Sequence, residues 1–569
     1  MRTFKSFALG LIVLSVAANL QAQSDDEDTL LRALQDEMDR SLAELQLDEE
    51  PPPYFISYRV VESSSVAATY TLGAHNRSNG SRGRSLLVAV RVGSKELDNT
   101  NFQFGGFTAS RGLPLTNSYE ELRRSIWMAT DSAYKQAVSN LSSKRSALES
   151  QTIEDRPKDF SDEEKYTWMG EESFSVANSN EVSAIARELS TSFLGQPDLF
   201  VSSATASSRA STTLYLDSEG NFNRYENGHC SATVFAKTQS TDGAELQDAT
   251  TTYARKCSDL PDSDSLKQLG LDLADRLIAL RNAESLDNYN GPVLLADKAA
   301  AQFLGLQLLG LLGASPIPVA SNPTMAQSLR RNANPFMDKL NARVFPRFID
   351  VVNDPTLTEF EGKALLGNYH VDMDGMPSRR TELVANGMLR ALLTGRAPTK
   401  SSDMSTGSNR GLRSPYPGNL FVEARDALED DELRTELRAY AQDYGLEFAL
   451  VVRKFSTRQD FFSDPVAAAS VGFGGGGVMT AFDVVKLYED GREVPVRPMS
   501  VSNFVVSFFK DIVAASTGRT HYDMPLSVGS SSFASIITPS LLFEDLSMRS
   551  AGEAKPKLPL FPHPLAAGQ

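Results

Sequence analysis

The chain has 569 residues, with 72 acidic against 56 basic side chains and a formal charge of −16. That length exceeds one ordinary domain, so two or more are expected, and the acid excess keeps the chain soluble. It also repels phosphate backbones, which argues against nucleic-acid binding.

In chain order, Arg2 and Lys5 precede an apolar run, Phe7 to Val16, and small residues ending at Ala18 or Ala22. This is the layout of a secretory signal peptide, expected over residues 1–22, which would send the chain to the periplasm or out of the cell. The run is shorter than the about 20 apolar residues that cross a bilayer and no later segment does better, so no transmembrane segment is expected. No cysteine stands near the cleavage site to carry a lipid. After acidic Asp25 to Asp28, an amphipathic helix places Leu31, Leu34, Met38, Leu42 and Leu45 on one stripe and stops at Pro51, Pro52 and Pro53. Strands are predicted at Tyr54 to Val61, Val66 to Gly73 and Ser85 to Val92, with Arg77 to Gly83 as a solvated hairpin loop.

A second helix starts at Ser118, where Ser-Tyr-Glu-Glu reads as a capping box with Glu121. Leu122, Ile126, Ala129, Ala133, Ala137 and Leu141 continue its apolar face. A third helix is expected near Glu181 to Phe193. Strands follow at Leu199 to Ser207, Thr212 to Leu216, Phe222 to Glu226 and Ala232 to Thr238, with a turn at Asp217 to Gly220. A helix from Leu266 to Ala283 closes an N-terminal α/β domain, residues 23–285. The two cysteines, Cys230 and Cys257, flank a polar loop between apparent strands, and in an exported chain a disulfide is the plain reading. The alternative, a metal site of His229, Cys230 and Cys257, lacks a fourth ligand and CxxC spacing.

Residues 286–550 read as a second, β-rich domain. The segment Gly291 to Gly313 is a short apolar strand, Pro292 to Leu295, running into a helix. Asp297 is placed to cap that helix, and Ala299, Phe303, Leu306, Leu309 and Leu312 recur at helical spacing. Asn386-Gly387, between Thr381 to Ala385 and Met388 to Leu393, and Asp490-Gly491, between Phe482 to Glu489 and Arg492 to Arg497, are two-residue hairpin signals. A helix is expected from Asp431 to Tyr444, and a Pro-rich, extended tail over residues 551–569. The fold class expected is α+β, with two domains: an N-terminal mixed sheet with packed helices, and a C-terminal domain of β hairpins with a few helices.

Chemistry-bearing motifs are sparse. Asp372-Met-Asp374-Gly375 starts like a calcium loop, but no acidic set follows at the twelve-residue spacing, which leaves a turn. Gly472 and Gly474 to Gly477 offer backbone N–H groups to an anion or a closely packed loop, without the Lys-Ser/Thr of a P-loop. The histidines are scattered, and no serine has a Gly-x-Ser-x-Gly elbow.

Several ordered segments together resemble the TldD/PmbA family. They are LLRALQDEMDRSLAEL and PPPYFISYRV near the N-terminus, GPVLLADKAAAQFLGLQLLGLLG, GRAPTK from Gly395, the following Gly407, Arg410 and Gly411, PGNLFVE from Pro417, FKDIVAAS from Phe509, and TPSLLFEDLSMR from Thr538. The likeness is to an exported branch of that family. The resemblance implies a fold shared with zinc peptidases that cut unfolded or peptide-like chains, in which a His-Glu-x-x-x-His helix and a downstream cysteine hold the metal. The matching positions here are Ala296, Asp297 and Ala301, and no cysteine lies between His521 and Ser540. Two methyl groups supply no zinc ligand, so the chain is similar to the metal-free PmbA (TldE) members, with no metal or cofactor of its own. The resemblance further implies a TldD-like metallopeptidase partner carrying zinc, an unfolded polypeptide or peptide as ligand, and a homo- or hetero-oligomer. Candidates for the substrate chamber are Ala296 to Ala301, Gly395, Arg396, Lys400, Gly474 and Gly475. Two alternatives stay open: an active metallopeptidase with other ligands, such as His370, Asp372 and Asp374, and a non-catalytic envelope protein used for binding or scaffolding.

Overall fold

The computed structural model describes residues 29–103, 108–150, 155–411, 415–465, 480–501, 505–526 and 532–551. The expected leader, the glycine run with Gly474 and Gly475, and the tail beyond 551 lie outside the described residues. The architecture is α+β.

The first half begins with α1 (29–44), followed by β1 (Pro53–Thr71), β2 (Ala74–Val92), β3 (Thr108–Leu113) and α2 (Tyr119–Glu149). Next come β4 (Thr167–Met169), α3 (Ser179–Ser190), β5 (Val201–Asp217), β6 (Phe222–Gln239), β7 (Glu245–Ala254) and α4 (Ser263–Leu280). The strands form one sheet in the order β3-β2-β1-β5-β6. The start of β6 pairs in parallel with β4 and its later part antiparallel with β7. Alternation along β1 and β2 points Ile56, Tyr58, Val60, Leu86, Val88 and Val90 at α1 and α2, which return Leu34, Met38, Ile126 and Leu141. On another part of the sheet, α3 and α4 bury Leu189, Leu273 and Leu277 against Ala204, Ala232 and Val234.

Four expectations are corrected in this half. Arg77 to Gly83 is strand rather than loop: it pairs with Ser63 to Thr69, and the turn lies at Leu72 and Gly73, with φ of +51° and +80°. The β1 arm packs Ala68 against Val182 and Ala186 of α3, but the β2 arm from Ala74 to Gly83 is exposed on both faces, so no alternation marks it. β5 and β6 likewise run unbroken through their polar stretches, and the segment between the cysteines is a hairpin of β6 and β7 rather than a loop. Ser118 stands at the N-cap of α2 in an extended conformation, but its side chain makes no capping bond.

The second half contains β8 (Asn288–Tyr289), β9 (Val293–Leu295), α5 (Lys298–Gln307), α6 (Pro323–Arg331), β10 (Ile349–Asn353), β11 (Glu359–Phe360) and β12 (Lys363–Ala364). It continues with β13 (Thr381–Ala385), β14 (Met388–Leu389), β15 (Asn419–Ala424), α7 (Asp430–Asp443), β16 (Phe448–Ser456) and α8 (Arg458–Phe462). It closes with β17 (Thr480–Tyr488), β18 (Glu493–Val496), β19 (Met499–Val501), β20 (Ile512–Pro525), β21 (Phe533–Phe543) and β22 (Met548–Ser550). Among the described residues the main sheet runs β14-β13-β10-β15-β21-β9-β16-β17-β19-β22-β8, with β20 on β21 and β18 on β17. α5 packs on one face, where Phe303 meets Phe455, Phe509 and Phe543, and α7 on the other through Leu433 and Leu437.

Asn386 and Gly387 form the expected two-residue turn, with φ of +52° and +73°. The second hairpin differs: Tyr488 N donates to Arg492 O, and Gly491 takes φ +84°, so the loop has three residues with a left-handed glycine at its end. α5 stops at Gln307 and tightens into a 3₁₀ turn, which leaves Leu306 outward and buries Leu304 and Leu308 instead.

Candidate functional site

β9 lies between β21 and β16, and Ala296 N continues the ladder by donating to Val452 O at 2.8 Å. The chain then turns sharply into α5. Ala296 packs with Leu433 and Leu437 of α7. Ala301 belongs to the apolar cluster on the opposite face, with Phe303 and Leu304. Asp297 between them has φ +51° and ψ −134° and makes no capping bond, which corrects the expected cap. An N-cap side chain reaches the first-turn N–H groups from an extended backbone at negative φ, and a left-handed one turns it away. The two alanines and one outward carboxylate do not fit zinc, which needs imidazole, thiolate or carboxylate groups converging at about 2.0 to 2.3 Å. Among the described residues, no group of three or more His, Cys, Asp or Glu could hold a metal.

What surrounds this helix is a polar seam that joins the two halves. Lys454, at the end of β16, donates to both oxygens of Asp248 on β7 at 2.6 and 2.7 Å, to Ala249 O at 2.6 Å and to Thr250 Oγ1 at 2.8 Å. Arg276 on α4 adds a third bond to Asp248 at 3.0 Å. Burial pushes Lys454 down to about 8 despite its carboxylate. For Asp248 burial acts upward, but Lys454 and Arg276 together hold it below the usual range. In α8 and just past it, Asp460 accepts from Thr457 Oγ1 at 2.6 Å and Thr251 N at 3.2 Å, and Asp464 accepts from Ser203 and Thr205 on β5 at 2.9 and 2.6 Å. Gln302 of α5 accepts from Phe455 N at 2.8 Å. These carboxylates are occupied by donors of the chain itself, so the network acts as an internal bond between the halves. Sequence reading missed it, although Lys454 within the apolar FALVVRKFS is the visible signal.

The chamber candidates separate. Gly395 is buried, and Arg396 is 2% exposed, with its guanidinium 3.8 Å from the Phe160 ring centroid, 2.7 Å from Glu219 and donating to Ser161 O at 2.9 Å. Arg396 therefore anchors one half to the other rather than lining a chamber. Lys400 is exposed. The alternative ligands do not converge either. Asp372 accepts from the backbone N–H groups of Asp374, Met376 and Asn409 at 2.8, 3.0 and 2.9 Å, as a turn requires. Burial, then the neighbouring Asp374, raises it to about 7. His370 instead lies against Trp168, their ring centroids 4.6 Å apart. Cys230 and Cys257 form a disulfide with a Cα–Cα distance of 5.0 Å, which removes both thiolates from the alternative metal site, and His229 packs its ring on Phe533.

A cleft that the motifs did not announce opens at the other end of the seam. Its volume is about 310 Å³, and Trp168 on β4, Tyr225 on β6 and Arg255 just past β7 face Asn368, Tyr369 and His370 from the second half.

Residues 290–550 match the family model described as the PmbA/TldA metallopeptidase C-terminal domain. The C-terminal half belongs to the PmbA/TldD family. A metalloprotease of Methanocaldococcus jannaschii is 24% identical over 168 residues, which is 29% of this chain and 34% of that protein, so the match spans about a third of the relative's length. TldE from Thermococcus kodakarensis superposes with a TM-score of 0.56 at 14% identity, covering 87% of this chain and 97% of that one. A protein from Bacteroides thetaiotaomicron, described as a candidate modulator of DNA gyrase, gives 0.59 at 14% identity, with 91% and 98% covered. Likeness at that identity extends the PmbA/TldD fold over both halves and carries no activity with it.

Proposed function

We propose that this PmbA/TldD-family chain is the metal-free member of an exported metallopeptidase system, binding unfolded polypeptide while a TldD-like homologue supplies zinc and cleaves. The observation that carries the reading is the pair of alanine methyls at positions 296 and 301, lodged in two separate apolar clusters where the family resemblance asks for imidazoles. With no Lewis acid and no activated water at that helix, what this chain contributes is a surface. The TldE likeness agrees with that role.

The test mixes the purified chain with casein, alone and with a metal-carrying homologue, with and without chelator. Cleavage is expected only in the mixture, and elemental analysis of the chain alone should give no stoichiometric zinc. Chelator-sensitive cleavage by the chain alone would overturn the reading. A mixture that neither associates nor cleaves would favour a scaffold role instead.

A further inference from the structure

Three arginines converge on the walls of the cleft beside Trp168, and among the described residues none of them makes an ion pair. Arg255 lines the cleft directly, and its Nη2 donates to Leu365 O at 2.8 Å and to Asn368 Oδ1. Among the described residues its Nε and Nη1 have no acceptor. Arg59 donates to Met373 O and, at 3.4 Å, to Tyr225 OH on the wall. Arg410 stacks 4.0 Å over the Tyr369 ring and donates to Phe533 O at 3.0 Å. Burial depresses both Arg255 and Arg410, with Glu172 and Asp523 acting on Arg255 only from beyond ion-pair distance. A largely buried guanidinium is normally paired, because leaving water uncompensated costs several kcal/mol.

The surroundings narrow the partner that is missing. With Nη2 taken by Leu365 O and Asn368 Oδ1, the open Nη1 offers single charge-assisted hydrogen bonds, which suit one oxygen of a carboxylate. The lining also carries the exposed Glu171 and Glu172 and the partly buried Glu226, which accepts from Phe174 N at 2.8 Å; together they repel a dianion such as phosphate more than a single carboxylate and suit a ligand whose far end is neutral or positive. Trp168, packed on His370 and tilted against Tyr225, gives the wall an aromatic surface, and about 310 Å³ lies at the small end of ligand pockets.

We propose that this cleft binds the carboxy-terminal end of a peptide, its carboxylate on Arg255 and its preceding residues running along the packed pair Trp168 and His370 toward Glu171 and Glu172. This rests on the polypeptide-binding reading above and names the part of the chain that is held.

The experiment compares the tripeptide Ala-Ala-Phe as free acid and as carboxy-terminal amide, by calorimetric titration of the intact protein. The acid should bind at least about tenfold more tightly, the scale of one charge-assisted hydrogen bond. In Arg255→Gln the preference should fall to about twofold or less. Equal binding of acid and amide by the unaltered protein would refute the proposal without any variant, as would no binding of either. So would inorganic phosphate displacing the acid as well as a second peptide does. If Arg255→Gln proves unfolded by circular dichroism, Glu172→Gln keeps the test alive. It should leave the acid preference intact but weaken the free-amine peptide relative to its N-acetyl form, and an unchanged ratio would overturn the placement of the far end. Acid and amide binding alike in a protein that supports casein cleavage would refute the cleft and leave the proposed function standing. Acid-selective binding without cleavage in any mixture would do the reverse.

Discussion

The disulfide offers the most direct test of how the first half is held. Cys230 lies inside β6, opposite Ala254 on β7, and Cys257 follows three residues past that pair. The bond therefore clamps the chain leaving β7 back onto the sheet. It closes a loop of sequence separation 27, and constraining an unfolded chain to that extent is worth about 3.5 kcal/mol in the chain-entropy account. Cys257→Ser is the variant to use. Cys257 is half-buried, whereas Cys230 is fully buried and a serine there would add the penalty of an unsatisfied hydroxyl, about 1 to 3 kcal/mol, to the covalent effect.

Both tryptophans, Trp127 and Trp168, belong to the first half, so fluorescence during urea unfolding reports the half that carries the bond. With a slope of about 3 kcal/mol per molar urea, the midpoint should fall by about 1 M. Reducing the unaltered protein should give the same shift as Cys257→Ser, because both remove the same crosslink. Identical transitions before and after reduction would refute the reasoning. A much larger loss in Cys257→Ser than on reduction would place the effect in the side chain rather than the crosslink.

Other perturbations address the seam and the strand–helix turn. Lys454→Met leaves Asp248 buried with Arg276 alone and should lower stability by about 3 to 5 kcal/mol in urea unfolding, and a loss under about 1 kcal/mol would contradict the internal bond between halves. Asp372 has its folded pKa raised to about 7 from an ordinary 3.8, so between those values the folded chain holds a proton that the unfolded chain has released, and stability should fall as pH rises through that window. Asp374→Asn removes the neighbouring charge and should flatten that fall, read as urea midpoints at pH 5 against pH 7. Asp297→Gly should keep or raise stability by about 1 kcal/mol, because glycine accepts φ +51° without strain; a loss of about 1 kcal/mol would mean that the side chain caps α5 after all.

What could be read from the sequence were elements whose burial is one-sided and local. The stripe of α2 from Leu122 to Leu141 is buried as its 3.6-residue spacing requires, and Asn386-Gly387 forms its turn because that dipeptide tolerates two left-handed residues. The long hairpin through Arg77 to Gly83 was illegible for the same physical reason: a strand with water on both faces leaves no alternation to detect. Positions 296, 297 and 301 stand out only through the family resemblance; helical spacing alone reads Asp297 as a cap and the helix after it as core. The seam was out of reach because its partners are distant in sequence. Lys454 and Asp248 are 206 residues apart, and nothing local to either says which charge will meet the other.

The two ends of that seam differ in how their charges are answered. Near α5 each buried carboxylate is taken up by the chain's own lysine, arginine, hydroxyls or amides. Charges satisfied in this way are inert toward a ligand, since displacing a donor leaves it buried and unpaired. At the cleft beside Trp168, Arg255 keeps donors that no residue among those described accepts, although Glu171, Glu172 and Glu226 line the same cleft, and Arg59 and Arg410 add positive potential behind the wall. A fold that seals one polar end and leaves guanidinium donors open at the other has its capacity for recognition at the open end. For this chain that points away from α5 and toward the cleft as the place where the proposed ligand would be held.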